Sequence, residues 1–580
     1  MEPIKIWRCP QSKFGILTEK NDDLLDEDLL AQDTYTDEVL QKIASDGFNG
    51  IWIHGQLHHI VKTSHFSEFA PHSEKHISAI KTLCDRAAKY GIKVYLYMQP
   101  PRGISVCEKT FWQNHADVAG QHLRVNGDDN NTFEINCLCT STKYVQDYLF
   151  EAFANLAAAL PELGGVIIIS ASEYPAHCYS KRNWKPGSDK KRKMQMDFVP
   201  TDCPRCSQRE PEEIVIELLN IIRNGIRSVS KEFKLIFWNW SWTMYSDPPC
   251  QEIISKLPQD CILLVDFERG GYRQDGTFIN EYSLAYSGPS EQFLDTMNAA
   301  KKYGIEVMAK LQIGTTHEIA TVRNLPLLGN LFRKIRFIQK NHLSGFMGCW
   351  NFGNFNSANT AAVNFFMNLD ESISEKEALE TFANYYFSGC DANKCAHAWL
   401  LFAEAMQKYP FCIPFLYNGI INHALGLLPP PGKVGSKTVG RSWLPDERGD
   451  DYQQSVTDLF PLDKIIENLS DIAEKWQRGM ALLAEGIGCL DAENARIEYG
   501  NAFIVGKSFA AASNLYSIYK LKLHWDENSI EKYNILAGKH KNILKEALPY
   551  VKQDSAQGFH IEGQFYSFNE KIMQEIIDSE

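Results

Sequence analysis

The sequence predicts an α/β fold, a (β/α)8 TIM barrel followed by an all-helical C-terminal domain. Three observations carry this. Eight apolar runs of strand length alternate with amphipathic helical segments at the spacing of βα units. One run, Gly164-Gly165-Val166-Ile167-Ile168-Ile169, holds four consecutive β-branched residues, which read as a strand buried on both faces. From about Leu369 the pattern changes to helical periodicity and keeps it to the C-terminus. An open doubly wound sheet is the competing architecture. It calls for a Gly-rich phosphate loop after an early strand, and none is present.

Taken in order, the first strand is Ile4 to Cys9. Thr36 caps a helix with Val39, Leu40, Ile43 and Ala44 on its apolar face, stopped by Gly47. Strand two is Gly50 to His54. Ser73 opens the next helix (Ile77, Ile80, Cys84, Ala87), Gly91 closes it, and strand three is Lys93 to Met98. A long loop and a helix from about Lys143 to Leu160 lead into strand four, the β-branched run. Pro211 starts a helix carrying Ile214, Leu218, Ile221 and Ile222, and strand five is Lys234 to Trp240. Strand six is Ile262 to Glu268, strand seven Ile305 to Gln312, and strand eight Gly345 to Trp350. Residues 1–368 then form the barrel and 369–580 the helical domain. In the latter Ser374 and Glu377 have capping-box spacing, and Leu462–Leu483 and Ala492–Tyr519 read as long helices. A Pro/Gly-rich stretch at about 428–451 interrupts them. It is too long for a simple connection, and reads either as a disordered surface loop or as a flap over the barrel mouth.

Composition narrows the function classes. A net charge of −13 argues against a nucleic-acid partner, and the one basic run, Lys190-Lys191-Arg192-Lys193, reads as a solvated loop. No run of about 18 apolar residues appears, so no membrane span is expected. No signal peptide is visible, and the 15 cysteines look like cytosolic thiols, so the expected location is the cytoplasm.

Active sites of such barrels lie at the C-terminal ends of the strands, which gives a short list of side chains. Strand two offers His54, Gln56, His58 and His59; strand three offers Gln99 and Arg102; strand four offers Glu173 and Tyr174. Strand five offers Trp238, Asn239, Trp240 and Trp242, and strand six Asp266, Glu268 and Arg269. Strands seven and eight offer Gln312, His317, Glu318, Trp350, Asn351 and Asn354. Acids, amides and indoles on one face suit a sugar: carboxylates for acid/base work, amides for hydroxyls, flat rings for the C–H faces. The bland readings stand beside this one. Any single tryptophan can be core, and the histidines can be satisfied loop groups or metal ligands, although His54, His58 and His59 lack a carboxylate nearby in sequence. Asp266 and Glu268 share a face if their strand stays regular; the inner of the two can then pair with Arg269.

Cys203-Pro204-Arg205-Cys206 has the spacing of a zinc knuckle, with His177-Cys178 upstream in the same loop. A structural zinc held by Cys178, Cys203 and Cys206, with His177 as a further candidate, competes here with plain thiols. No other cofactor is expected.

At this point the first 365 residues or so resemble family 20 glycoside hydrolases, β-N-acetylhexosaminidase-like enzymes, as a distant relative. Asn49 to His54 resembles that family's second strand, and Ser172-Glu173 sits where the family carries an Asp-Glu pair. Trp238-Asn239-Trp240 and Trp350 resemble its strand-five and strand-eight tryptophans. The chain also resembles bacterial barrel proteins with a Thr-His-Glu or Trp-Glu step after strand seven, here Thr316-His317-Glu318. The resemblance implies that Glu173 is the general acid. Ser172 departs from the pattern, because it lacks the charge with which the family's Asp orients the substrate's acetamido group. The expectation is therefore an exo-acting glycoside hydrolase with a carbohydrate substrate, in which Glu173 protonates the leaving oxygen. Glu318, or failing that Glu268 or Asp266, acts as nucleophile or stabiliser. Substrate-assisted N-acetylhexosaminide cleavage and a non-catalytic carbohydrate-binding barrel are the alternatives.

Overall fold

A computed structural model describes residues 2–12, 26–126, 132–171, 174–180, 185–186, 196–197, 201–244, 246–351 and 354–579. Eight parallel strands close into a barrel: Ile4–Trp7, Gly50–His54, Lys93–Met98, Gly165–Ile169, Lys234–Trp238, Ile262–Asp266, Glu306–Lys310 and Gly345–Met347. Each pairs with its sequence neighbours among these eight, and the last pairs with the first (Ile4 with Gly345). The (β/α)8 class and the helical C-terminal region are both present. The strands begin within one residue of where the sequence places them, and several stop two or three residues earlier.

Close approach explains two glycines. A Cβ on Gly165 would lie 2.1 Å from the Lys234 carbonyl oxygen, and one on Gly345 would lie 1.9 Å from that of Ile4. Both occupy positive-φ positions at strand starts, where any side chain would push the neighbouring strand aside. Local signals also hold: Thr36 accepts the Val39 N–H, Pro211 opens Pro211–Arg227, and Ser374 accepts the Glu377 N–H.

The chain divides into two compact units. The first comprises residues 1–267, 292–310 and 343–347, which include every barrel strand. The second comprises residues 268–291, 311–342 and 348–580, so it takes the stretches after strands six, seven and eight as well as the C-terminal helices. Within the first unit, the loop after strand three holds a three-stranded antiparallel sheet (Ile104–Ser105, Ala119–Asn126, Thr132–Leu138), with a register shift between Ala119 and His122.

Within the second unit, helices Leu462–Ile487, Glu493–Leu523 and Ser529–Gln553 pack in sequence. Trp476 fills their centre. It stacks on Phe402 at 4.2 Å, donates its indole N–H to the Ala502 carbonyl at 2.8 Å, and lies against Gly506, where a Cβ would meet it at 2.7 Å. The 428–451 stretch is an ordered part of this unit. The Arg448 guanidinium donates to the carbonyls of Val439 and Arg441, and Asp450 pairs with Lys522 at 3.2 Å. No helix among the described residues is long and apolar enough to cross a membrane.

Candidate active site

In the first unit, the C-terminal strand ends form a linked floor. Asp266, the last residue of strand six, accepts the Trp238 indole N–H at 3.0 Å, and both are buried. The Trp238 ring lies edge-on to Tyr97 at 6.4 Å, and Tyr97 contacts Trp52 at 5.5 Å and His54 at 5.9 Å. Gln99 donates its amide to the Tyr97 hydroxyl at 3.2 Å. Parallel register explains the convergence: His54 lies opposite Tyr97, Trp238 opposite Ile169, and Asp266 opposite Lys310. Side chains at matched positions leave one face of the sheet, and here that face is the barrel interior. Lys310, which the sequence reading passed over, is a buried cation at this level.

A second set supports the floor from strand one. The Arg8 guanidinium stacks 3.8 Å from the Trp52 ring and pairs with Glu27 at 2.9 Å; both partners are almost wholly buried. Glu27 also accepts the His54 backbone N–H at 2.9 Å, which fixes the end of strand two. Neither residue is legible as functional from sequence, since Arg8 sits inside an apolar run and Glu27 in a polar one.

Segments after strands one, two, three and four line a cleft of about 360 Å³, with Asp26, His58, His59, Gly103, Ser105 and Tyr174 among its residues. Asp26 accepts from Gln56 at 3.1 Å and holds His59 Nδ1 at 2.7 Å, so these groups form a hydrogen-bonded wall. The Arg102 guanidinium lies 3.5 Å over the Tyr174 ring, whose hydroxyl donates to the Gly103 carbonyl at 3.3 Å. Glu173 and Ser172 lie outside the described residues. Trp240 is half-buried, Asn239 is buried at a strand end, and Trp242 is a core residue that donates to the Ser170 hydroxyl at 2.8 Å.

The second unit corrects two expectations. Glu318 is completely buried, and its carboxylate accepts from the Ser283 hydroxyl (2.5 Å), the Leu284 N–H (2.7 Å), the Ala285 N–H and the Thr316 hydroxyl (3.0 Å). Burial raises its pKa against those hydrogen bonds. A carboxylate so enclosed orders the 283–285 turn and has no lone pair aimed at a substrate. Glu268 likewise turns inward and pairs with Lys334, not Arg269; the ammonium also donates to the Ser283 carbonyl at 2.8 Å. The expected shared face of Asp266 and Glu268 fails because the strand ends at Asp266.

Glu281 is the carboxylate the sequence reading missed. Tyr417 donates its hydroxyl to it at 2.7 Å and Tyr282 its N–H at 2.9 Å. Burial pushes its pKa up, but Arg269, His317 and the two hydrogen bonds together hold it below the ordinary value, so it stays ionised. His317 is pushed down to about 4 by burial and is neutral at pH 7. Its ring meets Tyr417 at 4.8 Å and Trp443 at 5.4 Å, which brings the 428–451 stretch against it. Gln312 is fully buried, and its carboxamide has no hydrogen-bond partner among the described residues. Trp350 and Asn351 are half-buried. No sequence signal marks Glu281, which sits in an aperiodic stretch.

No protein-family model matches the chain, and no curated protein matches it. Among solved structures it is similar to a GH138 enzyme targeting pectin rhamnogalacturonan II, at 10% identity and a TM-score of 0.52, over 98% of this chain and 63% of that one. This chain thus spans less than two thirds of that structure's length. It is also similar to a GH5-4 broad specificity endoglucanase from Ruminococcus champanellensis (8% identity, 63% of this chain, 96% of that chain, TM-score 0.38). A Bacteroidetes-affiliated GH5 cellulase is similar at 10% identity over 65% of this chain and 95% of that one, with a TM-score of 0.39. At such identities the likeness is one of fold: the barrel with its helical C-terminal region is an architecture found among glycoside hydrolases.

Proposed function

We propose that the protein is a glycoside hydrolase working at the C-terminal mouth of its barrel. The observation that carries this is the linked floor of Asp266, Trp238, Tyr97, Gln99 and His54, an acid set among indole, phenol and amide groups. Aromatic faces accept sugar C–H surfaces, the amide and imidazole suit hydroxyls, and Asp266 supplies negative charge for an oxocarbenium-like transition state. Glu173 is the proposed general acid, on its place in the sequence four residues beyond the end of strand four at Ile169. Exo action belongs to the same reading. It rests on the resemblance in sequence, through Asn49 to His54 and Ser172-Glu173. The family 20 affinity is a finer part of the proposal and rests on Asn49 to His54 and on Ser172-Glu173. With Ser172 in place of the family's acid, an enzymic carboxylate is favoured over substrate assistance.

A panel of nitrophenyl glycosides, followed by Glu173→Gln and Asp266→Asn on whichever substrate reacts, tests the proposal. Loss of a general acid or of the opposing carboxylate lowers kcat by about 10²-fold or more on an unactivated substrate, with the fold retained. Undiminished turnover in Glu173→Gln removes that residue from the mechanism. The second reading, a carbohydrate-binding barrel, is favoured by the inward engagement of both Glu268 and Glu318. It predicts calorimetric binding of sugars with no product from any glycoside.

A further inference from the structure

The stretches after strands three and four bring together a second constellation that owes nothing to the sugar site. Cys139, Cys178, Cys203 and Cys206 are all buried, all free, and their four Sγ atoms lie within 4.8 Å of one another. Cys139 Sγ is 3.6 Å from the Sγ of both Cys203 and Cys206. A disulfide requires about 2.05 Å, so these are not bonded pairs. Four thiolates at about 2.3 Å around a tetrahedral ion stand about 3.8 Å from one another, which the observed spacing matches.

We propose that these four cysteines bind a structural zinc ion. The ligands come from three separate stretches: Cys139 follows the strand Thr132–Leu138, Cys178 lies in the loop after barrel strand four, and Cys203 and Cys206 form a Cys-x-x-Cys turn. That turn is closed by Ser207 N–H donating to the Cys203 carbonyl at 2.8 Å and Arg209 N–H to that of Cys206 at 3.1 Å. Donors surround the sulfurs. The Arg205 Nε donates to Cys139 Sγ at 3.2 Å, the Gln121 backbone N–H lies 3.4 Å from Cys178 Sγ, and the Ser141 hydroxyl 3.3 Å from Cys206 Sγ. Four thiolates and a divalent cation leave two negative charges, which Arg205 partly offsets; packed neutral thiols would need no such cation. Gly120 completes the cradle, since a Cβ there would lie 2.5 Å from Cys178 Sγ. His177, a candidate from its neighbour in sequence, is not a ligand: Nε2 donates to the Ser170 carbonyl, and Nδ1 accepts the Tyr179 N–H at 3.3 Å. A closed, buried four-sulfur site with no open position is structural and not catalytic. It ties the sheet after strand three to the stretch after strand four that carries Cys178.

The test is elemental analysis of the purified full-length chain, with Cys139→Ser, Cys137→Ala and Gly120→Val variants beside it. About one zinc per chain is expected in the parent and in Cys137→Ala, and less than about a tenth of that in Cys139→Ser. Gly120→Val should lose zinc although it removes no ligand. Mercurial titration of the parent should release the ion as four thiols react, and cobalt substitution should give the thiolate charge-transfer bands of a tetrahedral site. If Cys139→Ser fails to fold, the parent's zinc content and thiol release still decide the matter. Metal-free parent protein whose four thiols alkylate without loss of thermal stability overturns the proposal. An equivalent of iron in place of zinc overturns the choice of ion.

Discussion

At the scale of single residues, the carboxylates sort by what their oxygens touch. Asp266 accepts an indole N–H and stands on the barrel's inner face, whereas Glu318 holds a turn and Glu268 faces an ammonium. Glu318→Ala should therefore not behave as a nucleophile deletion. It leaves the Leu284 and Ala285 N–H groups and the Ser283 hydroxyl unpaired in the interior, at about 1–3 kcal/mol for each buried group left unsatisfied. The expected result is a lowered melting temperature and no rescue by azide; formation of a glycosyl azide would restore Glu318 to the mechanism. The sequence shows why Glu318 misleads. It follows a barrel strand at the right distance, but the partners that turn it inward lie at 283–285, over 30 residues away, and nothing local announces them. Asp266 was legible because the strand itself dictates its face. Cys139 was not legible beside Cys203 and Cys206, because its spacing to them is set by the three-stranded insert.

At the scale of elements, the starts of the barrel strands were legible to within a residue, since apolar runs punctuated by glycine leave little choice. The insert after strand three was not. Its strands are polar, one is two residues long, and a register shift breaks the alternation that would mark them. The glycines at strand starts make the legible part testable. Gly345→Ala would drive a methyl group to within 1.9 Å of the Ile4 carbonyl, and Gly165→Ala would do the same at Lys234. Each should destabilise the chain by about 1–3 kcal/mol through strand displacement. Gly276→Ala, whose Cβ would meet nothing within 4 Å, controls for the cost of a positive φ alone. Equal urea midpoints for Gly345→Ala and Gly276→Ala would show that the close approach is relieved at no cost.

At the scale of the whole molecule, protonation should govern stability mainly through the second unit. Four of its histidines are buried and held neutral: His317 and His540 at about 4, His560 at about 3, and His423 well below its ordinary value, in each case chiefly by burial. A histidine whose pKa is depressed by folding takes up a proton more readily when unfolded. Stability therefore falls as pH drops from the ordinary 6.5 towards 4, by up to ~1.4 kcal/mol per pH unit for each such group. Glu498 acts in the opposite sense. Burial raises it from 4.5 to about 7, against the Ala358 N–H and Arg323, so the folded state holds its proton across that range and gains on acidification what the histidines lose. Glu318, also raised, adds to the opposing side. With four histidines against two acids, the urea midpoint should decrease between pH 7 and pH 5. His540→Gln should flatten that decrease, while Glu498→Gln should steepen it by removing the compensating proton. A midpoint that stays level or rises over this range, or two variants that shift the slope in the same direction, would show that these buried groups do not control the acid limb.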